Sequence, residues 1–217
     1  MKTFDIDEVM KTLKREVKNY PSPVVDLIKV QTNDPYRILV ATILSARTKD
    51  QTTALVVHDL FKRAPNIKTL ATLKRTELEK IIYRIGFYKN KATFLEKLAK
   101  ELLEQHKGEV PHTMEELLTL PGVGRKTANL VLATAFSIPA ICVDIHVHRI
   151  TNRWGYVKTE TPFETEMALR KKLPKKHWLD INKTVVAFGQ HLCGPVPRCS
   201  SCPIKEHCQQ KNLKKWK

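Results

Sequence analysis

Between Leu120 and Arg149 the chain reads LPGVGRKTANLVLATAFSIPAICVDIHVHR, and no other stretch restricts its fold so tightly. Leu120-Pro121-Gly122-Val123-Gly124 is a tight glycine turn between two segments of helical apolar spacing. Ahead of it, Thr113 and Glu116 form a capping-box pattern before Leu117 and Leu118, which predicts a short helix. After it, Ala128, Leu130, Val131, Leu132, Ala135 and Phe136 predict a well-buried helix. Two helices joined by Gly-Val-Gly make a helix-hairpin-helix. Gly122 and Gly124 can take positive φ and let the backbone approach a ligand closely. The unpaired amides opening the second helix then suit a phosphate.

Lys126 falls in the first turn of that second helix, where partial positive charge disfavours an ammonium. Structural rules put an acid there. The lysine therefore reads as a solvated side chain, as a phosphate contact, or as an amine activated for Schiff-base chemistry. Eighteen residues on, Asp144 follows the apolar run Ile138 to Val143 and precedes Ile145-His146-Val147-His148-Arg149. That is the place of an N-cap, so Asp144 alone reads as a cap or as a catalytic carboxylate.

The charge balance points to a partner. Lys+Arg 38 against Asp+Glu 22 leaves +16, which favours a polyanion and salt-sensitive binding, although a solvated basic surface would look the same. A length of 217 residues allows one or two domains with a real core. No apolar run approaches a membrane span. The N-terminal MKTFDIDEVMKTLKREV carries acids at helical periodicity and matches neither a signal nor a transit peptide.

Four of the five cysteines, Cys193, Cys199, Cys202 and Cys208, fall within sixteen residues as C-x5-C-x2-C-x5-C. That density argues for a metal site in a reducing compartment. Four thiolates suit tetrahedral zinc or a 4Fe–4S cluster equally well. Structural zinc usually pairs two Cys-x2-Cys knuckles, and only one is present. Cys142, inside an apolar run, reads as a small core residue.

Elsewhere the pattern is helical, with no alternating strand runs. Phe4, Ile6, Val9, Met10, Leu13 and Val17 predict a first helix ended by Pro21-Ser22-Pro23. Val24 to Val30 predicts a short second one, and Pro35 opens a third with Tyr36, Leu39, Val40, Ile43 and Leu44 on its core face. Ser45 to Asp50 breaks that helix, and Asp50 opens another. Thr76 with Glu79 predicts a cap for a helix ended by Gly86. Lys89 to His106 predicts a long amphipathic helix whose lysines form a solvated face. Thr161-Pro162-Phe163-Glu164 is a further capping box, and Trp178 to Leu192 predicts the last helix.

The strings LPGVGRKTAN and VDIHVHR, with LSARTKDQ, IGFYKNKA, EQHKGEVP and the cysteine cluster, closely resemble endonuclease III, the helix-hairpin-helix DNA glycosylase/AP lyase, over residues 5–210. The resemblance implies an all-α, two-lobed fold. A six-helix domain would span 28–138, and 1–27 plus 139–217 would form an iron–sulfur domain. Duplex DNA would lie in the cleft between the lobes, with Lys126 and Asp144 facing each other across it. Lys126 becomes the imine-forming nucleophile, Asp144 the essential carboxylate, and Gly122 and Gly124 phosphate anchors. Cys193, Cys199, Cys202 and Cys208 become the ligands of one 4Fe–4S cluster with a structural role.

Other positions depart from the family or stay open. Where the family has a glutamine that enters the gap left by a flipped nucleotide, this chain has Arg47, which reads as a wedge or as a phosphate contact. Phe87 is a second wedge or a buried staple. His146 is expected near the lesion strand, and Arg149 in a structural or phosphate role. The first cysteine spacing is one residue shorter than the family's six, so its loop offers only Arg198 to the DNA backbone. The implied function is excision of oxidised pyrimidines from double-stranded DNA, with nicking by β-elimination. A mismatch-type glycosylase and a non-catalytic DNA-binding protein are the alternatives. The implied setting is a monomer in a prokaryotic cytoplasm, associated with the nucleoid.

Overall fold

The computed structural model describes residues 4–211 and 213. The outermost ends of the expected iron–sulfur domain, residues 1–3, 212 and 214–217, lie outside the described residues. The chain is all-α: the described residues form twelve α-helices and short 3-10 turns, with no strand. They pack as two compact units, one of residues 24–138 and one of residues up to 23 together with those from 139 onward.

The 24–138 unit holds α2 (Val24–Thr32), α3 (Pro35–Ser45), α4 (Asp50–Arg63), α5 (Ile67–Thr72), α6 (Arg75–Ile82), α7 (Tyr88–Gln105), α8 (Met114–Thr119) and α9 (Arg125–Ala135). α3 is its centre. Pro35 starts it, the Asp34 carboxylate accepts from the Tyr36 amide at 2.9 Å, and residues 38–44 are all buried. α9 packs along it through Ala128, Val131 and Leu132. Each leucine or isoleucine fully buried in this way contributes about 1.5–3 kcal/mol.

The other unit holds α1 (Ile6–Glu16), α10 (Ile145–Trp154), α11 (Pro162–Lys172) and α12 (Ile181–His191). Asp5 caps α1, its carboxylate accepting from the amides of Asp7 at 2.8 Å and Glu8 at 3.2 Å. Val9, Met10 and Leu13 of α1, Val147, Ile150 and Trp154 of α10, and Ile181, Val185 and Phe188 of α12 form one core. Cys142 is buried, as its apolar run predicts. α10 ends at Gly155 (φ 75°), and the segment beyond the last cysteine closes onto it. There the Gln209 amide donates to the Trp154 carbonyl at 3.3 Å and the Lys211 amide to the Arg153 carbonyl at 3.0 Å.

Three local expectations need correcting. α6 begins two residues early: the Lys74 amide donates to Glu77 Oε2 at 3.1 Å, and Glu79 instead pairs with Arg75. The last helix begins at Ile181; Trp178 closes the preceding 3-10 turn and donates its indole N–H to the Leu173 carbonyl at 2.9 Å. The lysines of α7 are not all solvated, since Lys91 is 6% exposed.

Candidate active site

The helix-hairpin-helix is α8, the turn 120–124 and α9. Thr113 caps α8, accepting from the Glu116 amide at 3.3 Å. Gly122 has φ 80°, and a Cβ there would stand 3.0 Å from the Phe94 ring, so any other residue would be strained on both counts. Gly124 differs from expectation. It is the N-cap of α9 with extended backbone (φ −98°), a conformation open to any residue, as the N-cap position dictates. A Cβ on Gly124 would meet no atom within 4 Å, and the residue brings no side-chain acceptor to the first-turn amides. That end of α9 therefore carries no side-chain cap and has open space beside it. Lys126, in the same turn, is exposed.

Asp144 is the N-cap of α10. Its Oδ1 accepts from the amides of His146 at 2.9 Å and Val147 at 2.8 Å, and the side chain is half-buried. The cap fixes the carboxylate at the N-terminal end of the helix. His146 and Arg149 follow on α10, one turn apart. Arg149 Nη2 lies 3.1 Å from His146 Nδ1 and donates to the Cys193 carbonyl at 3.1 Å. Burial, then the neighbouring Arg153 cation, holds the Arg149 guanidinium below the usual arginine range.

Arg47 and Phe87 stand on separate loops of the 24–138 unit, both exposed and both on left-handed backbone, with φ 56° and 59°. Phe87 is 60% exposed, which removes the buried-staple reading. Arg198, the one basic residue of the first cysteine loop, is exposed.

Cys193, Cys199, Cys202 and Cys208 line one hollow together with Arg153, Trp154 and Phe188. Two N–H groups already face sulfur: Arg153 Nη1 lies 3.2 Å from Cys193 Sγ, and the Gln210 amide lies 3.4 Å from Cys208 Sγ. Burial pushes the thiols of Cys199 and Cys208 up and that of Cys202 to about 12. Among the described residues no group of three or more His, Cys, Asp or Glu side chains is set to hold a metal ion. The donor set still fits a thiolate-held centre: four sulfurs share one hollow, and a bound cation would offset the cost of ionising buried thiols side by side.

Two residues with a part in these sites escaped the sequence reading. Arg153 is 5% exposed and also donates to the Gly194 carbonyl at 2.9 Å. Its signal was its place one turn beyond Arg149 on the same helix face. Lys91 donates to the carbonyls of Leu44 at 2.8 Å and Ala46 at 2.5 Å. Its signal was register: Lys91, Leu95, Leu98 and Leu102 share one helix stripe.

Comparison with known proteins agrees with this geometry. Residues 40–175 match the family of HhH-GPD superfamily base excision DNA repair proteins. Endonuclease III of Thermotoga maritima is 47% identical over 177 residues, covering 81% of this chain and 83% of that one. A solved structure of a trapped endonuclease III–DNA covalent intermediate, an estranged-adenine complex, is 34% identical with TM-score 0.84 over 94% of each chain. A thermostable thymine-DNA glycosylase is 25% identical with TM-score 0.81, over 94% of this chain and 95% of that one. With identity at this level across most of both chains, this chain belongs to the endonuclease III family of helix-hairpin-helix base excision repair proteins.

Proposed function

We propose that the chain is a bifunctional DNA glycosylase and AP lyase that removes oxidised pyrimidines from double-stranded DNA. The observation that carries this reading is the exposed amine of Lys126 in the open first turn of α9, beside an N-cap that leaves room for a DNA backbone. The Gly122–Gly124 turn and the α9 amides hold a phosphate. The damaged nucleotide leaves the stack at a cost of a few kcal/mol, least where stacking is already weak. The Lys126 amine attacks C1′, the glycosidic bond breaks, and the base departs with the bonding pair. Asp144 stabilises the cationic sugar and accepts a proton. Ring opening gives an imine, which acidifies the 2′ hydrogen. Loss of that proton expels the 3′ phosphate, and water then releases the lysine. Arg47 and Phe87 are the residues proposed to fill the vacated stack, and His146, Arg149 and Arg198 to border the DNA.

Cys193, Cys199, Cys202 and Cys208 would hold one 4Fe–4S cluster, which when bound supplies a structural cross-link and no step of the reaction. The likeness to a thymine-DNA glycosylase favours thymine or uracil opposite guanine as a second substrate class. We place the enzyme, as a monomer, in the prokaryotic cytoplasm on nucleoid DNA. Among the described residues no helix is long and apolar enough to cross a membrane.

The test is borohydride trapping on duplexes carrying defined lesions. The unaltered protein is expected to form a covalent adduct with nicked product, and Lys126→Ala none. An undiminished adduct with Lys126→Ala would falsify the imine assignment.

A further inference from the structure

Three links join the loop after α3 to the loop before α7. The Lys91 ammonium, on the first turn of α7, donates to the carbonyls of Leu44 at 2.8 Å and Ala46 at 2.5 Å. The Gly86 amide donates to Thr48 Oγ1 at 3.1 Å. Gly86 also lacks the Cβ that would stand 2.7 Å from the Arg47 carbonyl oxygen. Each loop ends in an exposed side chain on left-handed backbone, Arg47 on one and Phe87 on the other. The Arg47 guanidinium lies 5.3 Å from the Phe87 ring centroid.

Lys91 is the odd member of this set. It occupies a stripe position whose other members, Leu95, Leu98 and Leu102, are fully buried. Leucine or methionine would fill that position without desolvating a cation. What the lysine adds is a charged double donor at the C-terminal end of α3, where the last carbonyls have no helical partner.

We propose that Lys91 is a positioning residue: it clamps the 46–49 loop to the start of α7, so that Arg47 and Phe87 reach the duplex as one fixed pair. This rests on the reading of the chain as a base-extruding glycosylase. Cutting the clamp leaves the imine chemistry of Lys126 untouched and lets the two tips move apart. The loss therefore falls on the step that takes a paired base out of the stack. An abasic site in single-stranded DNA has no stack to open and escapes it.

The experiment compares Lys91→Met with the unaltered protein on an oxidised pyrimidine in duplex DNA and on an abasic site in single-stranded DNA. Both substrates are then repeated in an Arg47→Ala/Phe87→Ala background. Duplex excision is expected to fall between about tenfold and 100-fold, the scale of an ångström-sized misplacement. Nicking of the single strand should stay within about twofold, as expected for a residue remote from the reacting atoms. In the truncated background Lys91→Met should cost nothing further, because the clamp then positions nothing. Equal loss on both substrates, or undiminished loss in the truncated background, would mark general damage and overturn the proposal; so would unchanged duplex excision. Gly86→Ala, which drives a Cβ into the Arg47 carbonyl, serves if Lys91→Met does not fold, and the same selective loss is expected. Inactivity of the unaltered protein on both substrates is a separate result: it would remove the enzymatic reading, and this proposal with it.

Discussion

The Arg47 guanidinium lies over the Phe87 ring, 5.3 Å from its centroid, with both residues on left-handed backbone. A non-glycine residue in that region costs on the order of 1 kcal/mol, so the tips hold strain while lying exposed. Phe87→Gly removes the strain and the ring together. Its melting temperature is expected to hold or rise, while single-turnover excision from duplex DNA slows. A drop in both would mean the ring supports the fold.

Asp144 is the N-cap of α10 and the carboxylate proposed for the reaction, two duties that one substitution separates. Both amide bonds go to Oδ1, and an asparagine oxygen can accept them equally. Asp144→Asn should change stability in urea by less than about 0.5 kcal/mol, since asparagine caps as well as aspartate. Excision should fall about 100-fold or more through loss of the charge. Asp144→Ala should lose the activity and about 1 kcal/mol of stability as well.

The hairpin glycines should respond in opposite ways. Gly122→Ala forces a side chain into left-handed backbone against Phe94, costing about 1–3 kcal/mol in thermal unfolding. Gly124→Ala meets no atom and should cost at most about 1 kcal/mol as a poorer cap. Its effect is expected on duplex affinity, measured by fluorescence anisotropy, because the added methyl would meet the phosphate proposed to sit there.

Lys91 predicts a pH dependence. Burial pushes its ammonium down to about 8 from the ordinary value of 10.5. Between those values the native state gives up a proton that the unfolded chain keeps, so native stability rises with pH across that window. Urea midpoints of the unaltered protein relative to Lys91→Met should therefore climb from about pH 8 to about pH 10. A flat or falling difference would mean that the two carbonyls hold the ammonium charged throughout.

Metal analysis decides the cysteine hollow. Freshly purified protein should carry about four irons per chain with broad visible absorption, and Cys202→Ser should lose most of both. Colourless protein with one zinc would assign the site to zinc.

The helices, the hairpin and the cap at Asp144 were legible because each rests on local chemistry: apolar spacing, a capping side chain, a glycine. What was illegible depended on partners distant in sequence. Nothing near Lys91 announces the carbonyls of Leu44 and Ala46, so only its place in a leucine stripe hinted that it was not a solvated lysine. Arg153 is similar, since its sulfur and carbonyl partners lie about forty residues away. Gly124 was misjudged for another reason: glycine permits positive φ without requiring it, and an N-cap is extended whatever residue fills it. Residues 175–177 form a separate 3-10 turn ahead of the last helix, a break that helical periodicity does not encode.

Helix α10 begins at Asp144, and its far end is held by Gln209 and Lys211, just past the last cysteine. If the four thiols take iron as proposed, the metal would tie down the segment that makes this grip. Losing it would then loosen one end of the helix whose other end the Asp144 carboxylate caps.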